Sequence, residues 1–406
     1  MRKIDPVLFR IATRGTSREI NRRIVLNLVR THQPISRADL ARAMGVRRGT
    51  VSLIINDLLK GGFVFEGVAG ETLRGRRPTF LYIDSRRRAV AAVDVRSSQT
   101  YLMLADLIGK PIAGVTGFPT PRDPKQLVST LASRIRALLA DHKDVDACEG
   151  VGVVVPGMVE PNTMRVLYAP TLGWRNVDLR QPLADAIGLR VELENSGRAC
   201  ALAQLWAMHG EAAAAGDLVF VNVSDGLGVG VVIHGEMLRG RNNVAGELGH
   251  VPLSGEGPRC ACGAAGCWEA YVSNRATLAR YFGRPLEADS TIPDEQRYFR
   301  IEDLIARARA GDVKALAAVQ ATGRFLGLGL ASVVNAYDPA RVYVGGEITA
   351  AWDLIEPTVR AGLAERVLTP AAAALDIRTV ATSEYPRLQG AAWLVSAPAF
   401  AAPVVA

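Results

Sequence analysis

The stretch Gly246-Glu247-Leu248-Gly249-His250, followed after nine intervening residues by Cys260-Ala261-Cys262-Gly263-Ala264-Ala265-Gly266-Cys267-Trp268-Glu269, gathers one imidazole and three thiols within 18 residues. Three sulfurs and one nitrogen make a closed tetrahedral donor set, which is what a structural Zn²⁺ prefers. Gly257, Gly263 and Gly266 supply the backbone freedom of a tight metal knuckle. His250, Cys260, Cys262 and Cys267 are therefore the expected ligands of structural zinc. The alternative is a reduced cysteine cluster without a metal.

Around this knuckle the chain of 406 residues is long enough for two or three domains, and 49% hydrophobic with 22% charged residues is an ordinary globular balance. The N-terminal Met1-Arg2-Lys3 leads into no apolar signal-peptide core, and no apolar run reads as a clean membrane span. Of five cysteines, three sit in the knuckle, so a disulfide framework is not expected and a reducing, cytoplasmic setting is. Charge is unevenly placed. Residues 1–88 hold 19 Lys+Arg against 7 Asp+Glu, and the remainder holds 29 against 33. Only the basic head is then suited to a polyanion.

The head has a pattern to match. Ile20, Ile24, Val25 and Leu28 give a helix over about 18–31 one apolar side, and Pro34 follows it. Ser36 is a good N-cap for a helix from Arg37 to Met44, Gly45 makes a turn, and Val51, Ile54, Ile55, Leu58 and Leu59 mark a third helix from about Arg48 to Lys60. This is a helix-turn-helix, in which Arg47, Arg48, Thr50 and Ser52 begin the helix expected to enter the major groove. Strands at 63–67 and 79–83 flank a basic tip, Arg74-Gly75-Arg76-Arg77-Pro78. Arg74, Arg76 and Arg77 are placed there for phosphate or minor-groove contact. A three-helix protein-interaction module is the competing reading.

From Arg88 onward the pattern is mixed α/β. Strands are expected at 89–95, 100–107, 111–116, 150–157 and 190–195, with helices at 125–141 and about 198–209. A second set follows: a hairpin of 217–224 and 229–233, helices at about 301–309 and 313–335, and a strand at 341–346. A duplicated plan of hairpins and crossover helices predicts two facing lobes with a cleft between them. Residues 284–300 read as a polar loop and the tail from Pro398 as frayed.

The Gly246–His250 run, the cysteine knuckle, Glu269, Glu194-Asn195, Val155-Pro156-Gly157 and Val344-Gly345-Gly346 together resemble the ROK family of sugar kinases and sugar-responsive repressors. With the winged helix in front, nearly the whole chain is similar to a ROK transcriptional regulator. The resemblance implies an α/β fold: an N-terminal winged helix-turn-helix, residues 1–85, followed by a two-lobed actin-like ATPase (ribonuclease H-like) domain, residues 86–406. The lobes would break near residue 195, with a C-terminal helix returning to the first. It also implies a structural Zn²⁺ on the four ligands above, hydroxyl-binding roles for Asn195, Glu247, His250 and Glu269, and a homodimer or homotetramer. The partners would be a double-stranded DNA operator and a small carbohydrate or sugar phosphate, with no membrane.

Three departures argue against catalysis. Family kinases carry Asn-Asp where this chain has Asn195-Ser196, and a serine has no useful basicity near neutral pH. Their glycine-rich Asp-x-Gly-Gly-Thr loop reads Asp94-Val95-Arg96-Ser97-Ser98 here, without the glycines that let backbone amides approach a phosphate. Their second phosphate turn, Gly-Thr-Gly, is Ser224-Asp225-Gly226, and an aspartate there repels phosphate. The expectation is a sugar-responsive repressor and not an enzyme. The alternatives are a kinase with residual activity or a constitutive DNA-binding regulator with a decayed sensor.

Overall fold

The computed structural model describes residues 14–69, 79–84, 87–208, 216–286 and 299–401. The head opens with α1 (Arg14–His32), β1 (Ile35–Ser36), α2 (Arg37–Met44) and α3 (Arg48–Lys60), then β2 (Val64–Ala69) and β3 (Thr79–Ile83). Ser36 and Asp39 form a reciprocal capping box at the start of α2. Gly45 ends α2 at φ 64°, a left-handed turn that glycine adopts without a Cβ penalty. The strands form a small antiparallel sheet in the order β1-β3-β2. Its expected wing tip, with Arg74, Arg76 and Arg77, lies outside the described residues.

The body is built twice on one plan. The first lobe carries β4 (Arg88–Val95), β5 (Gln99–Asp106), β6 (Thr116–Pro119), α4 (Pro124–Asp141) and β7 (Ala147–Val155). There follow β8 (Met158–Val159), β9 (Val166–Ala169), β10 (Trp174–Val177), α5 (Arg180–Ile187), β11 (Val191–Asn195) and α6 (Ser196–Ala207). The second lobe has β12 (Leu218–Val223), β13 (Leu227–Ile233), β14 (Glu236–Met237), α7 (Glu269–Val272), α8 (Asn274–Phe282), α9 (Ile301–Arg309) and α10 (Val313–Tyr337). It ends with β15 (Arg341–Gly345), α11 (Trp352–Arg366), α12 (Pro370–Ala373), β16 (Asp376–Thr379) and α13 (Pro386–Phe400).

The two large sheets run β11-β7-β4-β5-β6 and β14-β13-β12-β15-β16. In each, three antiparallel strands continue into two parallel ones. The helix after each sheet crosses over: α6 packs on β12 and β13, α13 on β4 and β7, and the two helices pack on each other. Their approach is tight, since a Cβ on Gly390 would lie 2.0 Å from the Ala199 carbonyl oxygen. α10 is 25 residues long and apolar enough by composition to cross a membrane, which the sequence reading did not anticipate. In the fold its apolar residues are buried in the second lobe's core with Ile355, Val359 and Leu363 of α11.

Two expectations are corrected. Residues 111–116 form no strand, because Pro111 makes only an isolated bridge and Ile112 N–H turns back to the Leu104 carbonyl at 2.8 Å; β6 begins at Thr116. The tail is not frayed from Pro398, because α13 continues to Phe400, which is buried against the head. Val25, Leu26 and Val29 of α1 share one apolar core with Leu388, Trp393, Val395 and Phe400. Within that joint the Arg30 guanidinium lies over Trp206, Trp393 and Phe400, and its Nη1 donates to the Trp206 carbonyl at 2.9 Å. Trp206 and Trp393 stack with ring centroids 4.9 Å apart.

Candidate ligand cleft, metal centre and DNA-reading helix

An open cavity lies between the lobes. Asn195, Ser196, His250 and Glu269 line one part of it, and Arg96, Ser97, Ser224, Asp225 and Arg387 another.

Asn195 is the last residue of β11 and the N-cap of α6. Its Oδ1 accepts from Gly197 N–H (2.8 Å) and Arg198 N–H (3.3 Å), and its Nδ2 donates to the Gly157 carbonyl at 2.8 Å. One amide proton is left for a ligand hydroxyl. Glu269 opens α7; its Oε2 accepts Leu227 N–H at 2.9 Å, and its Oε1 lies 3.2 Å from Cys260 Sγ. Glu247, by contrast, is not part of the cavity lining. Its carboxylate lies 3.7 Å from Arg198 Nη2, and burial pushes its pKa up against the pull of Arg198. Three of the four expected hydroxyl-binding residues thus share the cavity, and Glu247 stands behind them.

His250, Cys260, Cys262 and Cys267 converge with all four donor atoms within 4.8 Å of one another. Cys262 and Cys267 Sγ are 3.7 Å apart, and His250 Nδ1 is 3.6 Å from Cys260 Sγ. A tetrahedron with Zn–S bonds of about 2.3 Å has edges of about 3.7 Å, so the donors fit a zinc-sized ion. The chemistry agrees: burial and the neighbouring Glu269 push the Cys260 thiol up, and a divalent cation is what makes clustered thiolates favourable there. Gly266 takes φ 74° inside the knuckle, and a Cβ there would lie 2.0 Å from the Ser254 carbonyl oxygen. With Nδ1 turned to the Cys260 thiol, Nε2 is the other ring nitrogen of His250, which lines the cavity.

The other end of the cavity is occupied by ion pairs. Asp94, 1% exposed, is held by Arg96 Nε at 2.8 Å and by Arg387 Nη2 at 2.8 Å. Arg96 Nη1 reaches across the cleft to Glu347 at 3.1 Å, and Glu347 accepts from Asn274 Nδ2 at 2.9 Å. Ser97 Oγ donates to Asp225 at 2.8 Å, a second bridge between the lobes. Burial works against the Arg96 charge, but Asp94 and then Glu347 hold its pKa above the ordinary guanidinium range. The sequence reading saw the missing glycines but not what replaced them. Arg387 carried no local signal, because its partner lies 293 positions earlier in the chain.

In the head, Arg47, Arg48 and Thr50 are exposed at the start of α3, Ser52 is half-buried, and Val51, Ile54, Ile55 and Leu58 face the core. Arg47 occupies the N-cap without a side-chain bond to the helix. The described part of the proposed DNA surface is therefore presented to solvent.

The pattern of the ROK family matches residues 90–397. The xylose repressor of Bacillus subtilis (strain 168) is 27% identical over 358 residues, which are 88% of this chain and 90% of that one. A crystal structure described as a ROK family transcriptional regulator, homolog of the E. coli MLC protein, superposes with a TM-score of 0.77 at 26% identity, covering 95% of this chain and 97% of its own. A ROK family glucokinase from Streptomyces griseus, solved with glucose and AMPPNP, superposes with a TM-score of 0.64 at 26% identity, covering 75% of this chain and 98% of its own. With the family pattern extending from β4 to α13, and the knuckle and duplicated sheets in place, this chain belongs to the ROK family.

Proposed function

We propose that this chain is a sugar-responsive transcriptional repressor whose kinase-like body senses a carbohydrate without phosphorylating it. One observation carries the reading: the cleft retains hydroxyl-binding groups at one end while ion pairs fill the end where a phosphate would sit. Residues 1–85 would read an operator through Arg47, Arg48, Thr50 and Ser52, with Arg74, Arg76 and Arg77 at the wing. Residues 86–406 would sense the effector through Asn195, His250 and Glu269, with Glu247 behind. A zinc ion on His250, Cys260, Cys262 and Cys267 would fix the loop that presents His250. The relative named a xylose repressor supports repression, and the solved transcriptional regulator supports a DNA-reading role; a symmetric oligomer would read paired half-sites. A neutral sugar is favoured over its phosphate, because both cavity arginines are already paired and Asp225 and Glu269 add negative charge.

α6 gives the signal a route. It starts at Asn195 in the cleft and ends beside Trp206, whose ring and carbonyl hold Arg30 of the head. A rigid helix of 12 residues, about 18 Å long, connects the two. Ligand closure that shifts α6 would move the joint, and the ligand's differential affinity for the two arrangements sets the response. Trp206→Ala is expected to keep sugar affinity while shrinking the effect of sugar on DNA affinity; equal response in the variant would exclude this route.

The test of the function is selection of bound fragments from a genomic DNA library at physiological salt. The selected site is then titrated with protein and a panel of xylose, hexoses, amino sugars and their phosphates. Sequence-selective binding released by a neutral sugar is the expected result. Absence of selective binding would overturn the reading.

A further inference from the structure

The reading helix has one feature that neither its fold nor its charge explains. The solvent face of α3 carries Gly49, Thr50, Leu53, Asn56 and Lys60, opposite the buried Val51, Ile54, Ile55 and Leu58. Leu53 stands in the middle of that otherwise polar face and is 70% exposed, the most exposed large apolar residue among the described residues of the head. Its neighbours Asn56 and Asp57 are tied back to the protein: Asn56 Oδ1 accepts from Arg37 Nη1 at 3.1 Å, and Asp57 pairs with Arg18. Leu53 is left as the apolar side chain facing outward between the basic start of the helix and Lys60.

Gly49 sits one turn earlier on the same face. Gly49 is the second residue of α3, where glycine costs backbone entropy that alanine would not. Here Gly49 is in ordinary helical conformation, and a Cβ built on it would meet nothing within 4 Å. Neither backbone geometry nor internal packing requires the glycine. The space over Gly49 is open, and no side chain, Leu53 included, comes within 4 Å of where its Cβ would be. One face of α3 thus carries a bare backbone position and an exposed apolar side chain, close to Arg47 and Arg48.

We infer that this face selects thymine: Gly49 lets the helix approach the base edges, and Leu53 packs on the 5-methyl group that a T·A pair alone presents in the major groove. The inference rests on the DNA-reading role proposed above. It adds an apolar specificity contact to arginine and hydroxyl groups that supply polar and phosphate contacts.

The experiment uses the full chain and its selected operator. Each thymine is replaced in turn by deoxyuridine, which removes only the 5-methyl group, and affinity is measured for wild type, Leu53→Ala and Gly49→Ala. Wild type should lose about threefold to fivefold per half-site at one symmetry-related thymine, the worth of one buried methyl. Leu53→Ala should bind the thymine and deoxyuridine operators equally. Gly49→Ala should bind every site more weakly while its thermal midpoint stays equal or rises, an outcome that a merely structural role for the glycine would not produce. Methyl sensitivity that persists unchanged in Leu53→Ala, or full affinity in Gly49→Ala, would overturn this inference and leave the repressor reading standing. Wild type with no sequence-selective binding would overturn both.

Discussion

The two ends of the cleft have the same origin in the fold and opposite fates. Each lies against the start of a helix following a sheet, and each gathers polar side chains from both lobes. At the hydroxyl end, Asn195 and Glu269 each spend part of their bonding capacity on backbone amides, and Asn195 keeps one donor proton in reserve. At the phosphate end Asp94, Arg96, Arg387, Glu347 and Asn274 are joined by ion pairs and a hydrogen bond, with Asn274 Oδ1 and Arg387 Nε left without a hydrogen-bond partner. A polar cluster whose charges are already paired resists a charged newcomer, because binding must first break pairs that burial has made strong. On the proposed function, the contrast separates recognition from turnover: a sugar would dock at one end, while ion pairs join the lobes at the other.

The largest expected effect falls on the Cys3His knuckle beside the hydroxyl end. Cys262→Ser should release zinc, abolish ligand binding and lower the thermal midpoint by roughly 5–15 °C, as loss of a structural ion removes several kcal/mol of local folding energy. Metal content by mass spectrometry and thermal unfolding check it, with Cys148→Ser, outside the knuckle, as control. A variant that loses zinc but binds sugar normally would mean the metal does not organise this end of the cleft. Next, Arg387→Met should destabilise by about 2–4 kcal/mol in denaturant unfolding, because Asp94 stays buried with one cation instead of two. Adding Asp94→Asn should recover most of that loss. No recovery would show that the pairing is not what stabilises this end.

Glu269→Gln tests the hydroxyl end with less disturbance. The amide oxygen can still accept from Leu227 N–H, so the fold should survive. Sugar affinity should drop about 5- to 12-fold, because a hydrogen bond to a charged group is worth about 1.5–3 kcal/mol and a neutral one about 0.5–1.5. Calorimetric titration reads it. An unchanged affinity would move recognition elsewhere in the cavity.

What could be read from the sequence follows the same division. The knuckle and the helix-turn-helix are local in sequence: their ligands, caps and apolar positions lie within a few turns of one another, and α2 and α3 run as expected over 37–44 and 48–60. Kinase loss was legible as three substitutions, but what took the place of the phosphate was not. Arg96 finds Glu347 and Asp94 finds Arg387 only after the chain has folded over some 250 and 290 residues. The small sheet of β8, β9 and β10 and the short helix α5 were missed for a different reason: segments of two to eight residues carry too little periodicity to register. Glu247 was placed by the run beside His250, but its ion pair with Arg198, 49 positions earlier, was not legible.

The smallest expected effect is the most discriminating. Ser196→Asp restores the carboxylate that family kinases carry after the asparagine, at the first residue of α6, where a helix N-terminus favours negative charge. It should fold normally and change sugar affinity modestly. ATP turnover with any hexose should stay at background, although a general base alone is worth ~10²–10⁴ in rate. The reason lies at the other end of the cleft. A nucleotide phosphate entering there would have to displace Arg96 from Asp94 and Glu347 and come to rest beside Asp225. A coupled assay comparing Ser196→Asp alone with Ser196→Asp combined with Arg96→Gly and Asp225→Thr sets base and phosphate site against each other. Turnover in the single variant would mean that the ion pairs open readily to ATP and that the two ends differ only in one side chain. Turnover confined to the combined variant would show that the phosphate end, closed by its own salt bridges, is what holds this cleft to sensing.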